Sequence, residues 1–145
     1  LSEDALTKIR NGGYTNAVIV GGKNAVSTSV ENQLKQNGVA IIKRLAGETR
    51  FETSQLIADF ELSQQLGFGA DGIALATGLN FPDALAAGPV AGRKLTPLLL
   101  VDSGASSASQ WLSAHANDIS GALIVGGENA VTPTDAQTLK KAMGI

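Results

Sequence analysis

The stretch that decides the fold is Thr77-Gly-Leu-Asn-Phe-Pro-Asp-Ala-Leu-Ala-Ala-Gly-Pro-Val-Ala-Gly92. The apolar run Ile73-Ala-Leu-Ala76 precedes it and reads as a short buried strand. Pro82 stands where a first helical residue belongs, its missing N–H being one that a helix start leaves unpaired anyway. Asp83 follows in the turn where the helix dipole favours an anion. The stretch therefore predicts a strand, a tight turn and a helix. Ala84, Ala86, Ala87, Gly88 and Ala91 give that helix side chains small enough for close approach to a sheet, with Gly88 and Pro89 expected to weaken or kink it midway. Two readings of the turn stand. It is a close-packed βα connection, or Asn80 and Asp83 face a ligand at the strand's carboxyl end, where open α/β sheets place their sites.

The same alternation extends outward. Upstream, Ser2 to Asn11 predicts a helix capped by Ser2 or Asp4 and closed by Gly12-Gly13. Ala17-Val-Ile-Val20 predicts a strand, Gly21 to Val26 a turn, and Ser27 or Thr28 the cap of a helix to about Asn37. Val39-Ala-Ile-Ile42 is the next strand. Thr49 and Glu52 then have the spacing of a capping box, opening a helix to about Leu66 with Leu56, Ile57 and Phe60 on one face. Downstream, Pro97 to Val101 and Ala122 to Val125 read as strands, with helices opened by Ser106 or Ser107 and by Thr132-Pro133. Short, nearly all-apolar strands alternating with helices predict an α/β fold, a mainly parallel sheet sandwiched by helices. Right-handed crossovers are expected.

A chain of 145 residues can bury a real core, about 68–70% of the surface its unfolded form exposes. Its hydrophobic content is 43%, and no apolar run approaches the roughly 20 residues of a membrane-spanning helix. A formal charge of -2 and no basic tract give no electrostatic footprint for nucleic acid or an anionic membrane surface. Without cysteine there is no disulfide, thiolate catalysis or cysteine metal site. The start at Leu1 and the lack of a signal peptide suggest a processed or excised piece.

An internal repeat refines the organisation. Ala17-Val-Ile-Val-Gly-Gly-Lys-Asn-Ala-Val26 recurs as Ala122-Leu-Ile-Val-Gly-Gly-Glu-Asn-Ala-Val131, a shift of 105 residues that also places Leu34-Lys35 on Leu139-Lys140. Residues 1–40 thus correspond to 106–145. The expected division is 1–43 as the last part of a preceding unit and 44–145 as one complete unit, each repeat large enough to be a small domain.

Few motifs carry chemistry. Gly67-x-Gly69-x-x-Gly72 has the dinucleotide-binding spacing but precedes a strand, whereas that fingerprint must follow one and open a helix. Gly88 to Lys94 lacks the spacing of a phosphate loop. The Gly21-Gly22 and Gly126-Gly127 turns either hold an anion on exposed N–H groups or use glycine for positive φ; Lys23 becoming Glu128 argues against a shared anion site. His115, four residues after Trp111, reads as a packed aromatic neighbour. No G-x-S-x-G elbow or metal-ligand spacing is present. Arg44, Arg50, Asn80, Asp83 and Asp102 remain, all expected at carboxyl ends of strands and hence on one rim. Their mixed charge suits sugar hydroxyls or a charged polymer; the alternative is internal pairing of Arg44 or Arg50 with Asp83 or Asp102.

Together these stretches resemble the cell wall binding repeat 2 family of bacterial surface proteins. The matching pieces are Arg44 to Thr53, Ala76 to Ala86, Pro97 to Asp102 and Ile124 to Gly127, in order and in register. The resemblance implies Rossmann-type or Toprim-like units associating around a pseudo-threefold axis. It implies a non-catalytic module without cofactor or metal, holding a secreted protein at the Gram-positive cell surface through an anionic secondary wall polymer. The family's polymer-binding motif falls on Leu98, Leu99, Leu100, Val101 and Asp102, with Val101 in place of threonine and so without its hydroxyl. Phe51 likewise stands where the family usually has tyrosine. Two rivals are a Rossmann-like enzyme or nucleotide-binding domain, which predicts saturable binding of a phosphorylated small molecule, and a purely structural oligomerisation module.

Overall fold

Helices and strands alternate through all the described residues, 1–63 and 66–145 of a computed structural model. In order they are α1 (Glu3–Asn11), β1 (Asn16–Val20), α2 (Thr28–Gln36), β2 (Ala40–Leu45), α3 (Arg50–Ser63), β3 (Gly72–Thr77), α4 (Pro82–Lys94), β4 (Leu98–Val101), α5 (Ser106–Ala114), β5 (Gly121–Val125) and α6 (Pro133–Met143). The chain divides into two units, Leu1–Glu48 and Thr49–Ile145. Every strand pairing among the described residues is parallel, which confirms the α/β architecture expected from the alternation.

In the first unit β1 and β2 pair side by side, joined through α2. Ile19, Leu34 and Val39 form its core, with Ile9, Val26, Val30 and Ile41 packed around them. The helix starts follow their caps: the Ser2 hydroxyl accepts from the Ala5 N–H at 3.3 Å, and Ser27 occupies the N-cap of α2. β2 runs three residues beyond the expected Ile42. Lys43 and Arg44 interrupt the apolar run, but a strand with one open edge accommodates charged side chains.

The second unit is a three-stranded sheet in the order β4-β3-β5. Side chains alternate across a strand, so Ile73 and Leu75 of β3 point to one face and Ala74 and Ala76 to the other. On the first face Ile73, Leu75, Leu99 and Val101 pack with Ala58 of α3, Trp111 and Leu112 of α5, and Leu139 and Met143 of α6. Buried Ala87 and Ala91 bring α4 onto the other face, as their size predicts. Pro82 is the first residue of α4, and the helix continues through Gly88 and Pro89 to Lys94.

α3 buries a different face from the one expected. Ser54 and Ala58 are buried and Leu62 packs against the core, whereas Leu56 is exposed. Small residues allow α3 to lie close to β4, where the Ser54 hydroxyl accepts from the Leu100 N–H at 3.1 Å. One arm of the capping box is formed, the Glu52 N–H donating to the Thr49 hydroxyl at 3.2 Å. The expected extension of α3 towards Leu66 crosses residues 64 and 65, which lie outside the described residues.

The repeat is visible in the backbone. β1 and β5 have the same bounds at a shift of 105 residues. After each, a glycine with positive φ, Gly21 at 109° and Gly126 at 123°, redirects the chain. The turns share their bonds: Ala25 and Val26 donate to the Gly22 carbonyl at 3.0 and 2.9 Å, and Ala130 and Val131 to that of Gly127 at 2.8 and 3.1 Å. Ser27 and Thr132 are the N-caps that follow. The closing glycines Gly38 and Gly144 lie 106 residues apart, because the stretch from N-cap to closing glycine is one residue longer in the second copy, 133–143 against 28–37.

Candidate functional site

Parallel strands put the loops after β3, β4 and β5 on one edge of the second unit's sheet. The loop after β3 leaves towards the α4 face, and those after β4 and β5 leave towards α5 and α6 on the opposite face. They part above β3, the place where open α/β sheets form ligand crevices.

Arg50, at the start of α3, donates through Nη1 to the Gly78 carbonyl at 3.0 Å and so ties α3 to the loop after β3. Gly78 is there for space: a Cβ would meet the Phe51 ring at 2.5 Å and the Leu100 Cβ at 3.0 Å. The Leu79 N–H donates to the Thr77 hydroxyl at 3.2 Å, which shapes the turn leading to exposed Asn80. Asp83, half-buried in the first turn of α4, holds its carboxylate over the turn after β5. Its Oδ2 lies 2.6 Å from where a Gly126 Cβ would stand. That glycine thus serves both backbone conformation and the close approach of a carboxylate. The side chains of Asn80 and Asp83 accept and donate no hydrogen bond among the described residues, so both are available to a ligand.

Asp102 is already engaged. Its carboxylate accepts from the Ser106 hydroxyl at 2.8 Å and the Ser107 N–H at 3.1 Å, closing the turn into α5. Leu99 is fully buried in the core, and Leu98 and Leu100 point to the opposite face. There they line a cavity of about 310 Å³ with Ile57 and Glu61 of α3 and Gly88 and Ala91 of α4. Glu61 had no signal in the sequence. Its Oε2 is buried without a hydrogen-bond partner among the described residues, and burial pushes its carboxyl above the ordinary value of 4.5.

Arg44 belongs to the first unit and sits within β2, not after it. Its Nη1 donates to the Gly21 and Val26 carbonyls at 2.7 and 3.0 Å, and its Nη2 to Glu31 Oε2 at 3.0 Å. Lys35 and Arg44 together hold the Glu31 carboxyl below its ordinary value. Neither arginine has Asp83 or Asp102 as its hydrogen-bond partner: Arg44 bonds the first glycine turn and Glu31, and Arg50 bonds Gly78. Gly21 and Gly126, the first glycine of each turn, are accounted for by positive φ, and the Gly67 and Gly69 pattern precedes β3 as expected.

His115 stacks on Trp111 with ring centroids 3.8 Å apart, and the Trp111 Nε1 donates to Asp59 Oδ1 at 2.7 Å. Among the described residues no three or more His, Asp or Glu side chains cluster as metal ligands, and no helix is long and apolar enough to cross a membrane.

An α/β module with a rim of mixed polar groups and an apolar cavity behind it belongs to the class of binding domains. Residues 44–135 match the cell wall binding domain 2 (CWB2) family, and the chain belongs to it. It is a cell-wall-binding module of the kind carried at cell surfaces. The chain is 29% identical over 134 residues to the N-acetylmuramoyl-L-alanine amidase LytC of Bacillus subtilis (strain 168), covering 92% of this chain and 26% of that protein. It is 38% identical over 87 residues to the Amidase enhancer of the same organism, covering 60% and 11% respectively. Among solved structures, Cwp6 from Clostridium difficile aligns with a TM-score of 0.84 at 23% identity over 97% of this chain and 22% of that one. Cwp8 from Clostridium difficile aligns at 0.67 and 27% identity, over 92% of this chain and 21% of that one. The chain therefore spans about a quarter or less of each of these proteins.

Proposed function

We propose that the chain is a non-catalytic anchor that holds a secreted protein at the Gram-positive surface by binding an anionic secondary wall polymer without a covalent link. The observation that carries this reading is the family match over residues 44–135, which spans the whole rim. Arg50, Asn80, Asp83 and Asp102 offer donors and acceptors in the mixture that sugar hydroxyls and spaced anionic groups require. Arg44 is engaged within the first unit, by the Gly21 and Val26 carbonyls and Glu31, and is left out of this rim. Leu98 and Leu100 back the rim through the apolar cavity, and Leu99 fixes β4 in the core. Residues 1–43 are read as the end of a preceding repeat and 44–145 as one complete repeat. Tandem repeats would multiply weak single-site binding by about 10²–10⁴.

Calorimetric titration with purified wall polymer tests the rim. Asp83→Ala and Asn80→Ala remove side chains that make no hydrogen bond within the described residues, so the fold is retained. Each is expected to weaken binding by about tenfold, a loss of ~1.4 kcal/mol. Both variants binding like the parent would remove the rim from the account.

A specific observation favours module association as a second activity. Leu79, Phe81 and Leu85 are 62%, 72% and 67% exposed around the start of α4. Packing of these side chains between neighbouring modules would give the pseudo-threefold arrangement. Sedimentation equilibrium should then show trimers that Phe81→Asp dissociates, and a monomer at all concentrations would refute it.

A further inference from the structure

The two copies of the repeated piece differ in one respect that their backbones make plain. β1 has a parallel neighbour, β2, on the side where its Gly21 N–H donates to the Leu45 carbonyl at 2.7 Å. Among the described residues β5 pairs with β3 alone. Gly121 of β5 donates to the Asp71 carbonyl on the β3 side at 3.2 Å. Backbone groups alternate sides along a strand, so Leu123 and Val125 also face β3, while Ala122, Ile124 and Gly126 present their N–H groups to the opposite, open edge. The Gly126 N–H is the counterpart of the paired Gly21 N–H, yet it has no partner among the described residues. Apolar surface accompanies the open backbone: Leu123 is 43% exposed beside a groove of about 370 Å³ that Ala122 and Val90 also line.

We propose that the β5 edge is a strand-accepting site whose occupant is a parallel strand of the β2 type, Ala-Ile-Ile-Lys-Arg-Leu. Two independent observations define it. First, the β1–β2 register, Asn16 to Ala40 through Val20 to Leu45, carries over by the repeat onto Gly121 through Val125. The strand's arginine then takes the place of Arg44 and donates to the Gly126 and Val131 carbonyls as Arg44 does to those of Gly21 and Val26. Second, the approach is prepared in both copies. Gly38 donates to Lys35 and Val39 to Leu34 at the end of α2, the path by which the chain enters β2. Gly144 donates to Lys141 and Ile145 to Lys140 at the end of α6. The site deepens the sheet to the order β4-β3-β5-β2 type. Ala136 stands at the position of Glu31, so α6 supplies no carboxylate there, and the one that lies against the turn is Asp83 of α4.

Grafting the sequence Ala40 to Glu48 directly after Ile145, where the closing glycines set Val39 and Ile145 in register, tests this in the full chain. Hydrogen exchange at the Ala122, Ile124 and Gly126 amides should slow by about tenfold or more, with Leu123 and Val125 unchanged. Replacing the grafted arginine by alanine should return part of that protection. The same nine residues added as a free peptide to the isotopically labelled chain give the reading without altering it, with shifts confined to β5 and the Gly126 turn. Unchanged exchange in the graft and no shifts with the peptide would overturn the proposal. So would protection of these three amides in the parent chain that grows with its concentration, since a second copy would then be the occupant.

Discussion

β1, its glycine turn and α2 have the same build as β5, its turn and α6, yet they are stabilised by different neighbours. In the first copy a guanidinium pins the turn: Arg44 reaches two of its carbonyls and continues to Glu31. In the second copy a carboxylate, Asp83, leans on the turn from α4, and α6 is fastened by a capping box between Thr132 and Asp135. One local sequence therefore folds the same way in two electrostatic settings. Positive φ at the glycine and the apolar faces of strand and helix determine its shape, and the charged residues around it are free to differ. This freedom allows Lys23 in one copy and Glu128 in the other.

Removing the equivalent core leucines should expose the largest difference between the copies. Leu139 is fully buried in the larger core cluster, and Leu34 lies at the margin of a smaller one. Leu139→Ala is expected to destabilise the second unit by about 3–5 kcal/mol and Leu34→Ala the first by about 2–3 kcal/mol. Equal losses in denaturant titrations would show the two cores to be equivalent.

Arg44→Ala comes next, at about 1.5–3 kcal/mol for hydrogen bonds to a charged group. Arg44→Lys should recover only part of it, because an ammonium cannot fork between two carbonyls and a carboxylate. The same site gives the first unit a pH dependence. The folded Glu31 carboxyl is depressed, so its contribution is present above the ordinary value of 4.5 and lost as pH falls through the folded value. Glu31→Gln should flatten that acid limb; an unchanged limb would assign it elsewhere.

The smallest effect expected is at Glu61, and its sign is opposite. Its folded pKa is raised, so the native state binds more protons between 4.5 and the raised value, and stability falls as pH rises through that window. Glu61→Gln should remove this slope and stabilise the second unit at neutral pH by roughly 0.5–1 kcal/mol, the partly solvated carboxylate being screened. A destabilised variant would mean that the carboxylate is held by a partner.

The strand-helix alternation, the repeat, Pro82 and the closing glycines were legible because each is a local signal with its own physical cause. The close approach of α4 was legible in its alanines. What escaped were pairings across the fold. Arg44 read as a rim residue because charge ended the apolar run at Ile42, though its guanidinium is satisfied by a turn 23 residues earlier. The buried face of α3 was misread because hydrophobicity favours Leu56 and Phe60, whereas contact with β4 selects the small Ser54 and Ala58. The meeting of Asp83 with Gly126 depends on which strands are neighbours, and no local pattern encodes it.

The most direct test of the anchoring account is sedimentation of the purified chain with Gram-positive cell walls, intact and stripped of secondary polymer by mild acid. The account predicts that the chain pellets with intact walls and remains in the supernatant with stripped ones. Equal pelleting with both, or none with either while the chain is folded, would contradict it.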